Sequence, residues 1–155
     1  ARSWGASGVP ICRTGKPATP PKHLVSYFAL VDQGHILLVD HRNAQLWLPT
    51  GGHVAPGEDP RLTVVRELRE ELGLSIGYQD VGLPQMVTVT STVGRTRGHT
   101  DVSLWYAVKG NRESTLVFDT EEFHDARWFS FDNVPLHRSD PNLSRFLAKL
   151  RRTRV

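Results

Sequence analysis

The residues from Gly51 to Leu74, GGHVAPGEDPRLTVVRELREELGL, constrain this chain more than any other stretch. They open as a glycine-rich loop, Leu48-Pro49-Thr50-Gly51-Gly52-His53, and pass through Pro56-Gly57-Glu58. Asp59 reads as an N-cap, Pro60 as the first helical residue and Gly73 as the left-handed C′ residue that stops the helix. The caps enclose about 20 Å of helix at 1.5 Å per residue. Glu67, Glu70 and Glu71 fall within an arc of roughly 100° on the helical wheel. Leu62, Val64, Val65, Leu68 and Leu72 take the other side. Carboxylates at i, i+3 and i+4 repel by a few tenths of a kcal/mol per pair even when exposed. A hard divalent cation relieves that repulsion, because it takes carboxylate oxygens as ligands. Arg66 stands beside Glu67 and four residues before Glu70, where its planar fork can orient a carboxylate. On helix carboxylates alone, a solvated outer face is the simpler reading.

The spacing of the whole segment reverses that preference. Gly52, five residues, Glu58, seven residues and then Arg66-Glu67-Leu68-Arg69-Glu70-Glu71-Leu72-Gly73-Leu74 fill every fixed position of G-x5-E-x7-R-E-U-x-E-E-x-G-U, with U a bulky aliphatic. The segment resembles a complete Nudix box. A WFSFDNVP segment before a terminal helix adds to the likeness, which covers roughly Lys22 to Leu150. The resemblance implies an α/β fold, the Nudix α/β/α sandwich with a mixed β-sheet between helices. It also implies a hydrolase acting on phosphorus-containing acid anhydrides.

The implied chemistry follows from charge. A phosphoric anhydride resists water because its negative charges repel a nucleophile, and a carboxylate cluster cannot bind a polyphosphate unaided. Mg2+ (or Mn2+) bridges the two and lowers the pKa of a bound water. By the resemblance, Glu67, Glu70 and Glu71 form the metal face, with the backbone carbonyl near Gly51 as a further ligand. Glu67 or Glu70 positions or deprotonates the water, Glu58 supports the metal shell from the loop, and Arg66 orients a glutamate. Gly51 and Gly52 let the backbone bend and approach the site closely.

Outside the box the candidates are looser. Family members often bring one more carboxylate from a distant loop or strand. Glu121 and Glu122 come first, since their loop precedes the strand ARWFSF, and Asp101 second, since it shares a strand face with His99. Arg42, Trp47, His99, Arg95 and Arg97 are candidates to contact phosphate or to stack on a base. Trp128 and Phe129 read as core.

The rest of the chain reads as a small mixed domain. Its 155 residues suit one core. LVSYFALV and ILLVD flank the turn Asp32-Gln33-Gly34 as a hairpin, and Leu46-Trp47-Leu48 is a short strand before the glycine loop. QMVTVTSTV alternates valines against threonines, a basic turn Gly94–Gly98 follows, and HTDVSLWYAV returns. Asp119 to Asp125 is an acidic loop, Ala126–Phe131 a strand, and Ser139-Asp140-Pro141 starts a last helix with Leu143, Phe146, Leu147 and Leu150 in one stripe. Residues 22–155 make the catalytic domain. Residues 1–21 make a flexible arm, whose Trp4 and Ile11 are anchors on the surface or at a homodimer partner.

No apolar run approaches the roughly 20 residues of a membrane span, and no signal-peptide pattern opens the sequence. Cys12 stands alone, so no intramolecular disulfide framework is available. A cytoplasmic location is the expectation. The net charge of +3 is mild, and the basic residues near the C-terminus lack interleaved aromatics, so no stable nucleic-acid binding is expected. The expected substrate is a nucleoside di- or triphosphate. ADP-ribose or a nucleotide sugar is the alternative, and a non-catalytic nucleotide-binding module the remote one.

Overall fold

A computed structural model describes residues 22–91 and 100–153. The arm before Lys22, the basic turn and His99 lie outside those residues. The strands are β1 (Lys22–Asp32), β2 (His35–His41), β3 (Leu46–Leu48), β4 (Thr50–His53), β5 (Met86–Ser91), β6 (Thr100–Lys109) and β7 (Phe123–Ser130). The helices are α1 (Pro60–Leu72) and α2 (Leu143–Thr153). The β1–β2 hairpin forms as expected, with Gln33 at φ 44° and Gly34 at φ 77° supplying the two positive angles that a tight, right-twisted turn needs.

The strands form one mixed sheet in the order β3-β2-β1-β6-β5, with β4 on β1 and β7 on β2. β1 and β6 run parallel from Lys22↔Thr100 to Val31↔Lys109, while the other pairings are antiparallel. Strand alternation then separates two cores. Val25, Tyr27, Ala29, Trp47 and Trp105 face α2, whose Leu143, Phe146, Leu147 and Leu150 are all buried. Phe28, Leu30, Leu37, Val39 and Tyr106 face α1 through Val64, Leu68 and Leu72. The sandwich expected from the sequence is therefore present.

Four local readings change. The glycine stretch is strand rather than loop. Thr50–His53 pairs antiparallel with β1, and neither Gly51 nor Gly52 has positive φ. Their lack of a side chain matters through close approach instead. Leu62, placed on the apolar side, is 46% exposed, and α1 buries Thr63, Glu67 and Glu71 alongside Val64, Leu68 and Leu72. In β5 the buried face carries Met86 and Thr88, while Val87 and Val89 are 53% and 65% exposed. Thr88 turns inward because its Oγ1 accepts the indole hydrogen bond of Trp105 at 2.8 Å. Lastly, β7 begins at Phe123 rather than Ala126, because that residue already pairs with His41.

Candidate active site

The site begins with the way α1 is held. Asp59 caps it, accepting from the Arg61 amide at 2.9 Å, and Pro60 occupies the first turn. Gly73 at φ 64° closes it, its amide donating to the Arg69 carbonyl at 3.1 Å. The Ser26 hydroxyl donates to the Pro60 carbonyl at 2.7 Å and so pins the start of the helix to β1. With the axis fixed, the rows 63/64, 67/68 and 71/72 face the sheet. Two of the box glutamates are consequently buried, Glu67 at 2% exposure and Glu71 at 0%, while Glu70 is exposed.

Burying carboxylates costs free energy unless something pairs with them. Arg66 Nη1 donates to Glu67 Oε1 at 2.7 Å. The same guanidinium donates to both oxygens of Glu58, at 3.1 and 3.0 Å, and to the His53 carbonyl at 3.2 Å. Glu58 is further held by the Thr63 hydroxyl at 2.6 Å and the Ala55 amide at 3.1 Å. Partial burial pushes the Glu58 carboxyl up, but these hydrogen bonds outweigh it and hold it down at about 2. Arg66, engaged by Glu58 and Glu67, is shifted above its ordinary range. Arg66 thus links Glu67 to Glu58 through one guanidinium.

Glu67 goes the other way. Burial raises its carboxyl, Arg66 opposes that, and the nearby charge of Glu70 raises it further. Glu71, the other buried box glutamate, opposes that rise as well. Such a buried pair of carboxyls fits a hard divalent cation, which takes several carboxylate oxygens. Gly52 lies directly beneath. A Cβ there would stand 2.4 Å from the Glu67 Cδ and Oε1. At Gly51 a Cβ would stand 2.8 Å from the Ser26 carbonyl oxygen, so both positions need glycine for space.

The acidic loop reaches this end of the molecule. The Asp119 amide donates to the Glu71 carbonyl at 3.0 Å, which brings the loop that carries Glu121 and Glu122 against α1. Arg42 braces the same loop, with Nε on the Thr120 carbonyl and its amide on the Glu122 carbonyl, both at 2.9 Å. Glu122 is half-buried there.

The remaining candidates lie elsewhere. Trp47 is 7% exposed, packed edge-on to Phe129 at 5.1 Å between ring centroids, with Arg127 and Arg138 over its ring. That placement makes it a core residue of the α2 side, not an open stacking surface. Asp101 is buried on the same side of the sheet as Trp105, across from α1. It does not join the glutamates; its neighbours are His23, at 3.7 Å between Nδ1 and Oδ1, and His53. Burial lifts the Asp101 carboxyl to about 6. His23, His53 and Thr63 were not candidates from the sequence. For Thr63 the box spacing was the available signal, since it lies five residues after Glu58 on the first turn of the helix. The two histidines could be found only from strand register.

A family model described as the NUDIX domain matches residues 22–150. The chain belongs to the Nudix family. It is 32% identical over 133 residues to the NAD-capped RNA hydrolase NudC of Stutzerimonas stutzeri (strain A1501), covering 84% of this chain and 45% of that protein. It is 25% identical over 107 residues to the RNA pyrophosphohydrolase of Rickettsia prowazekii (strain Madrid E), covering 62% of this chain and 65% of that protein. The chain thus spans about half to two thirds of the length of these curated relatives. Among solved structures, the MutT NUDIX hydrolase from Burkholderia pseudomallei superposes with a TM-score of 0.69 at 22% identity, covering 83% of this chain and 98% of that one. This likeness establishes the Nudix fold. Among the described residues, no helix is long and apolar enough to cross a membrane.

Proposed function

We propose that this Nudix protein hydrolyses a phosphoanhydride bond in a nucleoside di- or triphosphate. The observation that carries the reading is the buried Glu67–Glu71 pair above Gly52, with Arg66 and Glu58 locking one carboxylate in place. Glu67, Glu71 and the exposed Glu70 would hold the divalent ion, with the Gly51 carbonyl beside them. Mg2+ or Mn2+ bound there supplies charge neutralisation of the polyphosphate and acidifies a coordinated water. The protein's own part is orientation. Arg66 fixes the direction of the Glu67 carboxylate, Glu58 fixes Arg66, Thr63 holds Glu58, and the absence of a side chain at Gly52 keeps the space that the carboxylate occupies. Glu70, open to solvent, is suited to position the attacking water or take its proton. Glu122 adds a carboxylate from the loop joined to Glu71.

A second reading has the relatives' names in its support. An NAD-capped RNA hydrolase and an RNA pyrophosphohydrolase act on pyrophosphate linkages carried by RNA, and the same glutamate face would serve that bond. One substrate panel with Mg2+ separates the readings. It contains nucleoside triphosphates and diphosphates, ADP-ribose, a nucleotide sugar and triphosphorylated and NAD-capped RNA, with all products identified. Preference for free nucleotides, releasing phosphate or pyrophosphate, supports the proposal. Turnover confined to RNA, ADP-ribose or a nucleotide sugar overturns the substrate class while keeping the bond type. No turnover of any member overturns the catalytic reading.

A further inference from the structure

On the sheet face opposite α1, three ligating groups converge from three strands, two of them buried and His53 half-buried. Parallel pairing places His23 of β1 directly beside Asp101 of β6, and antiparallel pairing places His53 of β4 beside Val25, two residues along β1. Since side chains two apart on a strand share a face, these registers bring the two imidazoles and the carboxylate to one point. One donor atom from each lies within 4.8 Å of the other two. His23 and Asp101 are 4% and 2% exposed, and the His23 and His53 rings meet edge to face at 5.0 Å between centroids.

We propose that His23, His53 and Asp101 form a second metal site in this protein, one that takes a divalent transition metal of the zinc class.

The donor set argues for that class. Two imidazoles and one carboxylate suit zinc and its neighbours, whereas magnesium prefers oxygen ligands and water, the set offered by the α1 glutamates. Three protein ligands with a fourth position left for water or an anion is the pattern of open tetrahedral zinc sites. The spacing argues the same way. His23 Nδ1 and Asp101 Oδ1 are 3.7 Å apart, beyond hydrogen-bond length. Two ligands of a tetrahedral ion at bond lengths near 2.05 Å stand roughly 3.4 Å apart, so this pair already has ligand-to-ligand spacing. The remaining donor closes the site by moving inward on the order of 1 Å, within the reach of a side-chain rotation. Asp101 Oδ1 is buried and has no hydrogen-bond partner among the described residues, a position that a cation would satisfy.

β4 then carries two sites on its two faces. Gly52 lies under Glu67, and the next residue, His53, contributes its ring to the other side while its carbonyl accepts from Arg66. An ion on His53 would brace the strand on which the glutamate site rests.

The test is cobalt substitution. Protein stripped with a chelator is titrated with Co2+, whose visible absorption is strong in four- or five-coordinate nitrogen-containing sites and weak in octahedral oxygen sites. The wild type is expected to take up one equivalent with strong visible bands, to keep one zinc through dialysis and to melt at higher temperature with zinc bound. Glu71→Gln should keep the strong bands, while His23→Gln and His53→Gln should lose them. Should those variants fail to fold, His53→Cys provides the alternative, since a thiolate ligand adds a sulfur-to-cobalt charge-transfer band. Weak octahedral bands alone in the wild type, bands that survive both histidine variants, bands lost in Glu71→Gln, or a folded His53→Cys lacking the charge-transfer band would each overturn the proposal.

Discussion

The chemistry of the site is set by which single side chains are buried and what holds them. Gly52 shows this most directly. A methyl group there would sit 2.4 Å from a carboxylate that Arg66 holds at 2.7 Å, so Glu67 would have to leave its position. Gly52→Ala is expected to cost on the order of 1–3 kcal/mol, as overpacking does, and to lose most hydrolysis even where the protein remains folded. Thermal melting and a hydrolysis assay on the same preparation check both parts. Normal turnover in the variant would show that the Glu67 position is not required.

His41 gives a second residue-scale prediction. Burial lowers its pKa from 6.5 to about 4, against a smaller opposing pull from Asp40. Its neutral ring also accepts the Ala44 amide at 3.2 Å, which closes the turn after β2. Because the folded pKa is the lower one, the penalty is absent above the unfolded value and grows as pH falls. Between pH 6.5 and 4 the unfolded chain takes a proton that the fold refuses, and stability should drop by up to roughly 3 kcal/mol at 1.4 kcal/mol per unit. Urea unfolding across that window measures it, and His41→Gln should flatten the slope. An unchanged slope in that variant would assign the acid sensitivity to other groups.

At the scale of elements, α1 positions everything the site needs, and its ends are where it can be loosened. Asp59 caps the first turn and also accepts from the Tyr78 hydroxyl at 2.8 Å, while Arg61 stacks over the Tyr78 ring at 4.1 Å. Asp59→Ala should therefore lower the melting temperature, as a lost N-cap does, with hydrolysis falling less than stability. Thermal melts and rates on the same variant check this, and a larger loss of rate than of stability would count against it. Both caps and the length of α1 were legible in the sequence, since Asp-Pro and a closing glycine act locally. The buried stripe of α2 was legible for the same reason, its period being set by the helix itself.

What escaped at this scale depended on partners distant in sequence. The glycine stretch reads as loop by composition, yet β1 supplies a strand to pair with it. The valines of β5 read as its inner face, but Trp105 supplies a hydrogen bond that draws Thr88 inward. Leu62 sits on the apolar arc of the wheel, whereas the sheet meets the helix along the 63/64, 67/68 and 71/72 rows. In each case a tertiary contact overrode a local preference.

For the whole molecule, the two faces of one mixed sheet divide the work. The α1 face carries the glutamate pair and its arginine, and the α2 face carries the larger aromatic core and the His23–His53–Asp101 cluster. The box spacing made the first face legible in the amino-acid order, because its residues lie within one continuous segment. The second cluster draws on three strands that are far apart in sequence, and only register brings them together. Asp101 was singled out for the glutamate site, but the alternation of β6 sends it to the other face.

In the proposed function, buried carboxylates on α1 carry metal-dependent hydrolysis of a phosphoanhydride. The most direct measurement is the rate of nucleoside triphosphate hydrolysis as Mg2+ is titrated, in the wild type and in Glu71→Gln of matched circular dichroism. The wild-type rate is expected to saturate with Mg2+. The variant rate is expected to be lower by roughly 10²–10⁴-fold, the scale of removing a positioned catalytic group, with no loss of fold. A folded Glu71→Gln protein that turns over at a near-normal rate with an unchanged Mg2+ requirement would rule out Glu71 as part of the metal site.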